Sequence, residues 1–135
     1  MAGLLHLEIA TPERLLIKED VAEVYIPAKE GMIGILPEHA PLLSELGVGE
    51  LTFVKSSGRG GLFVAGGWVQ ILNNEVRVIA DRSENVAEID TARAEASLKR
   101  AMERLAAPST AGVDVARAIN SMRRAEARLA CTRSK

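Results

Sequence analysis

The apolar residues of this chain change their period near residue 90, and no single kind of secondary structure satisfies both halves. Up to about Asp81 they alternate with polar residues and are cut at short intervals by turn formers, the pattern of half-buried strands. Leu5, Leu7 and Ile9 alternate with His6 and Glu8, and Val24 and Ile26 alternate with Glu23 and Tyr25. LTFVK, GLFVAG, WVQIL and EVRVIA follow, for roughly nine or ten strands in all. Past Asp90 the spacing is helical: Ala94, Leu98, Ala101 and Leu105 recur on one stripe, and Val115, Ala118, Met122, Ala125 and Leu129 form a second. Pro108 and Gly112 break the run between them. Two helices of about four turns each, joined by a short loop, read as an antiparallel hairpin. The expected organisation is a β domain over 1–86 and a helical hairpin over 87–135.

The glycine-rich stretches of the first half read as turns. Asn73-Asn74 suits a two-residue hairpin because asparagine tolerates positive φ, and SSGRGG serves the same purpose before GLFVAG. None of them follows the GxxxxGK[ST] pattern or stands between a strand and a helix, so no phosphate loop is expected there.

Composition removes several functions. Aromatics are only 3% of the 135 residues, which argues against stacking on bases, and a formal charge of -1 offers no broad field for nucleic acid or an anionic bilayer. The charge is uneven, however: ten bases against four acids lie between Arg93 and Lys135. One cysteine, Cys131, excludes an internal disulfide, and with only His6 and His39 no metal cluster is expected. No basic-then-apolar leader opens the sequence and no run of apolar residues spans a bilayer, so neither secretion through a standard signal nor membrane crossing is expected.

The helical seam is narrow and rich in alanine, so it buries little area and is weakly held. Isolated helices of this length are marginal in water. The hairpin is therefore expected to lean on the β domain or on a partner, and to be able to let go.

The most unusual stretch is GMIGILPEHAPLL, from Gly31 to Leu43. Pro37 and Pro41 limit its freedom, Gly31 and Gly34 permit sharp turns, and Ile33, Ile35, Leu36, Leu42 and Leu43 are expected mostly to pack inside. Met32, Glu38 and His39 are expected to face outward as a preformed docking rim, since preorganisation lowers the entropy cost of binding. His39 has no nucleophile or acid partner in sequence, so it does not read as a general base.

This stretch resembles the hallmark loop of the epsilon subunit of F-type ATP synthases. LHLEIATPERLL, GELTFVK, LFVAGGWVQILNNEVRVIADRSE and IDTARAEASLKRAMERL are similar to other segments of that family, in family order over essentially the whole chain. The resemblance implies a ten-stranded β-sandwich followed by a two-helix hairpin. It implies a rotor part without an active site, binding the gamma subunit and the c-subunit ring and inhibiting hydrolysis when its helices extend toward the alpha and beta subunits. The implied place is the cytoplasmic face of a bacterial inner membrane, peripheral through the complex, with no cofactor required.

Some members of that family bind ATP in the folded hairpin through Ile/Leu-Asp-x-x-Arg-Ala and further arginines. Here Ile89, Asp90, Arg93 and Ala94 match that motif, Arg100 follows, Arg124 and Arg128 match the second-helix arginines, and Glu84 matches an upstream acid. ATP, with or without Mg, is the regulatory ligand this implies. The residues by themselves leave a plainer account open, in which Asp90 caps a helix and the arginines solvate its face or pair with Glu95, Glu103 and Glu126. They also leave open a free-standing β-sandwich that binds a small ligand and dimerises through its helices.

Overall fold

The computed structural model of the chain describes residues 3–106 and 114–133. Eight strands come first: β1 (Leu5–Ala10), β2 (Leu15–Val21), β3 (Glu23–Ala28), β4 (Gly31–Ile35), β5 (Leu42–Glu45), β6 (Val48–Lys55), β7 (Gly58–Leu72) and β8 (Glu75–Asn85). A 3₁₀ turn, Val86–Glu88, leads to helices α1 (Thr91–Ala106) and α2 (Val115–Arg133). The expected break at Pro108 and Gly112 lies outside the described residues.

The strands form one sheet in the order β2-β1-β8-β7-β6-β3-β4, with β5 also on β7 and only the β1–β8 pair parallel. β7 changes neighbours partway: β6 accompanies it as far as Ala65, and β5 takes over from Trp68, while β8 runs beside it from Leu62 to Leu72. The change falls at Gly66 and Gly67, whose φ angles of 70° and 112° are costly for any residue with a side chain. A Cβ on Gly67 would run into the carbonyl oxygen of Ile79. The sheet thus turns a corner and closes over its own core, as strands do when they pass from one layer of a sandwich to the other.

Among the described residues there are eight strands where nine or ten were expected. GLFVAG and WVQIL, read from the sequence as two strands, are the two arms of β7, because the glycine pair bends the chain without breaking its ladder. Likewise only Ser56 and Ser57 form the turn before β7, and Gly58, Arg59, Gly60 and Gly61 belong to the strand. Asn73 and Asn74, with φ of 50° and 65°, make the expected tight hairpin turn.

The corner changes what each face of β7 sees. Val69 and Ile71 point into the sandwich core with Leu5, Leu7, Ile9, Val24, Ile26 and Leu51. Phe63 and Ala65 have the same parity along the strand, yet they point outward into a second cluster with Ile89 and Cys131. That second cluster is where the hairpin sits: α2, rather than α1, packs on β6 and β7. Both helices start on an aspartate cap, Asp90 Oδ1 accepting from the Arg93 N–H and Asp114 Oδ1 from the Arg117 N–H, each at 3.0 Å. The seam between them buries Ala94 and Ala101 on α1 and Ala118, Ala125 and Leu129 on α2. Val115 stands exposed at the first turn of α2, so the second stripe begins one turn later than its spacing suggested.

Candidate ligand site between the hairpin and the sandwich

A cavity of about 370 Å³ opens where β8, α1 and α2 meet. Asp90 at the cap of α1 and Arg93, Ala94, Ser97 and Arg100 along that helix line it from one side, and the middle of α2 supplies Ser121, Arg124 and Arg128. β8 and the turn after it add Arg82, Glu84 and Glu88.

Helical spacing explains the convergence. Arg93, Ser97 and Arg100 are four and three residues apart, as are Ser121, Arg124 and Arg128 in the order three and four, so each set forms a single stripe. Arg82 and Glu84 alternate on one face of β8, the face that turns toward the hairpin past the glycine corner.

The charges are only partly matched. Arg128 donates from Nε to Glu84 Oε1 at 2.8 Å, and its guanidinium lies 4.5 Å from the centroid of the Phe63 ring. Arg124 reaches Ser121 Oγ at 3.3 Å. Burial holds the Arg124 guanidinium below its ordinary pKa, and the neighbouring cations Arg82, Arg128 and Arg117 push the same way. Among the described residues no carboxylate is within ion-pair distance of Arg82, Arg93, Arg100 or Arg124. Such a cleft is short of negative charge, and planar guanidinium forks suit phosphate or carboxylate oxygens.

Seven of the eight expected residues line this cavity: Glu84, Asp90, Arg93, Ala94, Arg100, Arg124 and Arg128. Ile89 does not. It lies 6% exposed beside Phe63 and Cys131, fixing the start of α1 from below. Asp90 does act as a helix cap, and it also lines the cavity. Arg117 stays exposed and off the wall, though its charge is felt by Arg124. Arg82, Glu88, Ser97 and Ser121 went unnoticed in the sequence. Alternation with Glu84 would have found Arg82, and the stripes of Arg93 and Arg124 would have found the two serines.

The docking loop is built differently from expectation at several positions. Met32 is 63% exposed, as expected, but Leu36 and Leu43 are exposed too, while Ile35 is buried and Ile33 and Leu42 pack against the core. Gly34 lies in extended backbone within β4, where a Cβ would come within 3.3 Å of the Tyr25 ring. Glu38 sits at φ 69°, tied down by its own N–H to Asn74 Oδ1 at 2.7 Å and by its carboxylate to Asn74 Nδ2 at 3.3 Å. Its side chain is therefore a strut of the loop, although it remains on the surface. His39 is half-buried and its Nδ1 lies 2.7 Å from the Ala40 carbonyl, which places the proton on that nitrogen.

A second apolar face accompanies the loop. Trp68 and Ile79 are cross-strand partners, 52% and 49% exposed, and Leu43 stands on the adjoining strand at 68%. Exposed clusters of this kind mark contact surfaces more often than chance. Among the described residues no helix is long and apolar enough to cross a membrane.

The chain matches two family models end to end: the beta-sandwich domain of the ATP synthase delta/epsilon chain over residues 4–86, and the long alpha-helix domain of the same chain over 87–132. It is 46% identical over 109 residues to the ATP synthase epsilon chain of Solibacter usitatus (strain Ellin6076), covering 81% of each chain. It is 47% identical over 93 residues to that of Roseiflexus sp. (strain RS-1), covering 69% of this chain and 67% of the relative. Its fold is similar to a chain in the Euglena gracilis mitochondrial ATP synthase OSCP/F1/c-ring structure, with a TM-score of 0.82 at 20% identity over 93% of this chain and 79% of the other. A chain in the Tetrahymena thermophila mitochondrial ATP synthase central stalk/c-ring structure gives 0.61 at 15% identity over 95% and 96%. By sequence the chain belongs to the delta/epsilon-chain family of ATP synthases, among the epsilon chains.

Proposed function

We propose that this chain is a non-catalytic subunit of the rotating central stalk of an F-type ATP synthase, and that ATP bound in the arginine-lined cavity holds its hairpin folded. The apolar face around Leu43, Trp68 and Ile79 suits a gamma subunit, and the Met32 and Leu36 rim suits the c-subunit ring. These two surfaces lie on elements tied to the rigid sandwich, which is what torque transmission needs. Released helices would meet the alpha and beta subunits and oppose hydrolysis, with their basic faces orienting the contact.

One observation carries the nucleotide part: five arginines from three elements, Arg82, Arg93, Arg100, Arg124 and Arg128, converge on one cavity with, among the described residues, a single ion pair among them. A polyanion there would join β8, α1 and α2 at once. By mass action it would stabilise the folded form by about 2.7 kcal/mol at a concentration one hundred times its Kd. The adenine-nucleotide class and any bound Mg follow from the family motif, while the cavity itself supports only an anionic ligand.

Titration calorimetry of ATP-Mg into the full chain is the direct test. Saturable heat that weakens in Arg93→Ala and Arg124→Ala supports the clamp, and no heat at millimolar nucleotide defeats it. For the inhibitory role, truncation from Ala92 onward is expected to raise the hydrolysis rate of the reconstituted enzyme. Equal rates with the full and truncated chains would reject it.

A further inference from the structure

On the other flank of α2 lies a second cavity of about 370 Å³, facing β6, β7 and β8. Arg82 and Arg124 line both cavities and form the partition between them. Arg123 and Asn120, one turn apart on α2, line only the second. Val48, Ala65, Gly66 and Asp81 complete its lining. The space is worth about a dozen water volumes.

Charge makes this cavity more than a surface dent. Three guanidinium groups meet one carboxylate, Asp81, and among the described residues none of the three stands within ion-pair distance of that acid or any other. Two of the cations come from α2 and one from β8, so they are held in register by the packed interface and not by one flexible segment. Arg124 is half-buried, where a nearby anion is attracted more strongly than in open water. Planar forks arriving from different elements can each bind a separate edge of a tetrahedral oxyanion.

We propose that this second cavity is an oxyanion subsite that takes inorganic phosphate through Arg82, Arg123 and Arg124. The subsite goes beyond the nucleotide reading and does not require it, since Arg123 takes no part in the first cavity. Asp81 on the wall limits its affinity to the millimolar range. Because two arginines are shared, a nucleotide that draws Arg124 toward its phosphates weakens phosphate binding, and phosphate weakens nucleotide binding by the same factor. Phosphate joining β8 to α2 would itself favour the folded hairpin by mass action, while competing with nucleotide for the shared arginines.

The test titrates the full chain with inorganic phosphate at constant ionic strength, with chloride as the balancing anion, and follows the phosphate ³¹P resonance. Saturable binding at millimolar phosphate is expected, weakened about tenfold in Arg123→Ala, as for the loss of one charge-assisted hydrogen bond. Circular dichroism checks that this exposed substitution keeps its helix, and Arg123→Gln serves if it does not. Arg93→Ala, on the wall of the first cavity alone, is expected to weaken ATP far more than phosphate. No saturable binding at tens of millimolar phosphate overturns the proposal. So does phosphate binding that falls with Arg93→Ala and ignores Arg123, since the ion would then sit in the first cavity. If phosphate binds through Arg123 while ATP does not bind at all, the nucleotide reading falls and the subsite stands.

Discussion

The sandwich and the hairpin are held by side chains of very different size. Leu5, Ile9, Val24, Ile26, Leu51, Leu62 and Val64 have no exposed surface, and each such residue contributes about 1.5–3 kcal/mol. The hairpin seam buries mostly alanines, at about 0.8 kcal/mol per methyl, and its hold on the sandwich is the cluster of Phe63, Ala65, Ile89 and Cys131. Yet each helix begins on an aspartate cap, worth about 1 kcal/mol. The helices are well started and poorly fastened. If the hairpin is released as proposed, a weak seam and sound caps would let it leave its seat as helices.

The corner of β7 is where this contrast is easiest to break. Gly67→Ala places a Cβ against the Ile79 carbonyl at a φ that alanine avoids, at a cost on the order of 4 kcal/mol or more. Both clusters depend on that bend, so the sandwich and the hairpin are expected to lose stability together in urea denaturation. A midpoint close to that of the unaltered chain would mean that the corner is not what separates the two faces.

Phe63→Ala should separate them. Removing a buried phenylalanine costs about 3–5 kcal/mol, and here the loss falls on the docked hairpin and not on the core of Val64 and Leu62. Cys131 is a convenient reporter, being a residue of α2 fully buried beside Phe63. Its alkylation is expected to accelerate on the order of a hundredfold while backbone amides of the strands stay protected from exchange. Equal loss of protection in strands and helices would show one cooperative unit, and the contrast would fail.

Much of this arrangement was legible in the sequence because period and size are sequence properties. Alternation marked the strands, the spacing of Ala94 and Ala101 marked a thin seam, and the stripes of Arg93 and Arg100, and of Arg124 and Arg128, placed most of the cavity. The misses share a cause: they depend on how elements lie against each other. Nothing local says that Gly66 and Gly67 bend a strand without ending it, so one strand was counted as two. Nothing local turns Arg82 toward the helices, because its direction is set by that same corner. Glu38 is exposed, as expected, and only the structure shows that it also ties the loop to Asn74, thirty-six positions away.

Alkaline pH should loosen the hairpin before it harms the sandwich. Burial, and then the charge of Glu50, pushes the Cys131 thiol from its ordinary 9.0 up to about 12. The docked state therefore keeps its proton where the undocked state has lost it, so docking is fully favoured below pH 9 and weakens as pH rises from 9 toward 12. The slope is at most about 1.4 kcal/mol per pH unit. Cys131→Ser changes the titrating group and should flatten the dependence, as read by helix exchange protection across that window. A dependence that survives the substitution unchanged would assign it to other groups.

The smallest effect is expected at the ion pair that, among the described residues, joins hairpin and sandwich. Arg128 and Glu84 are 22% and 36% exposed, so water screens much of their attraction at 2.8 Å. Glu84→Gln keeps a hydrogen-bond acceptor near Arg128 Nε while removing the charge, and it should loosen docking by less than about 1 kcal/mol, a rise in Cys131 alkylation of no more than about fivefold. Salt at about 1 M should shrink the difference further, because the Debye length then falls to about 3 Å. An increase comparable to that of Phe63→Ala would mean that charge rather than apolar contact seats the hairpin. The alanine seam would then be incidental, and salt instead of nucleotide would become the natural control of release.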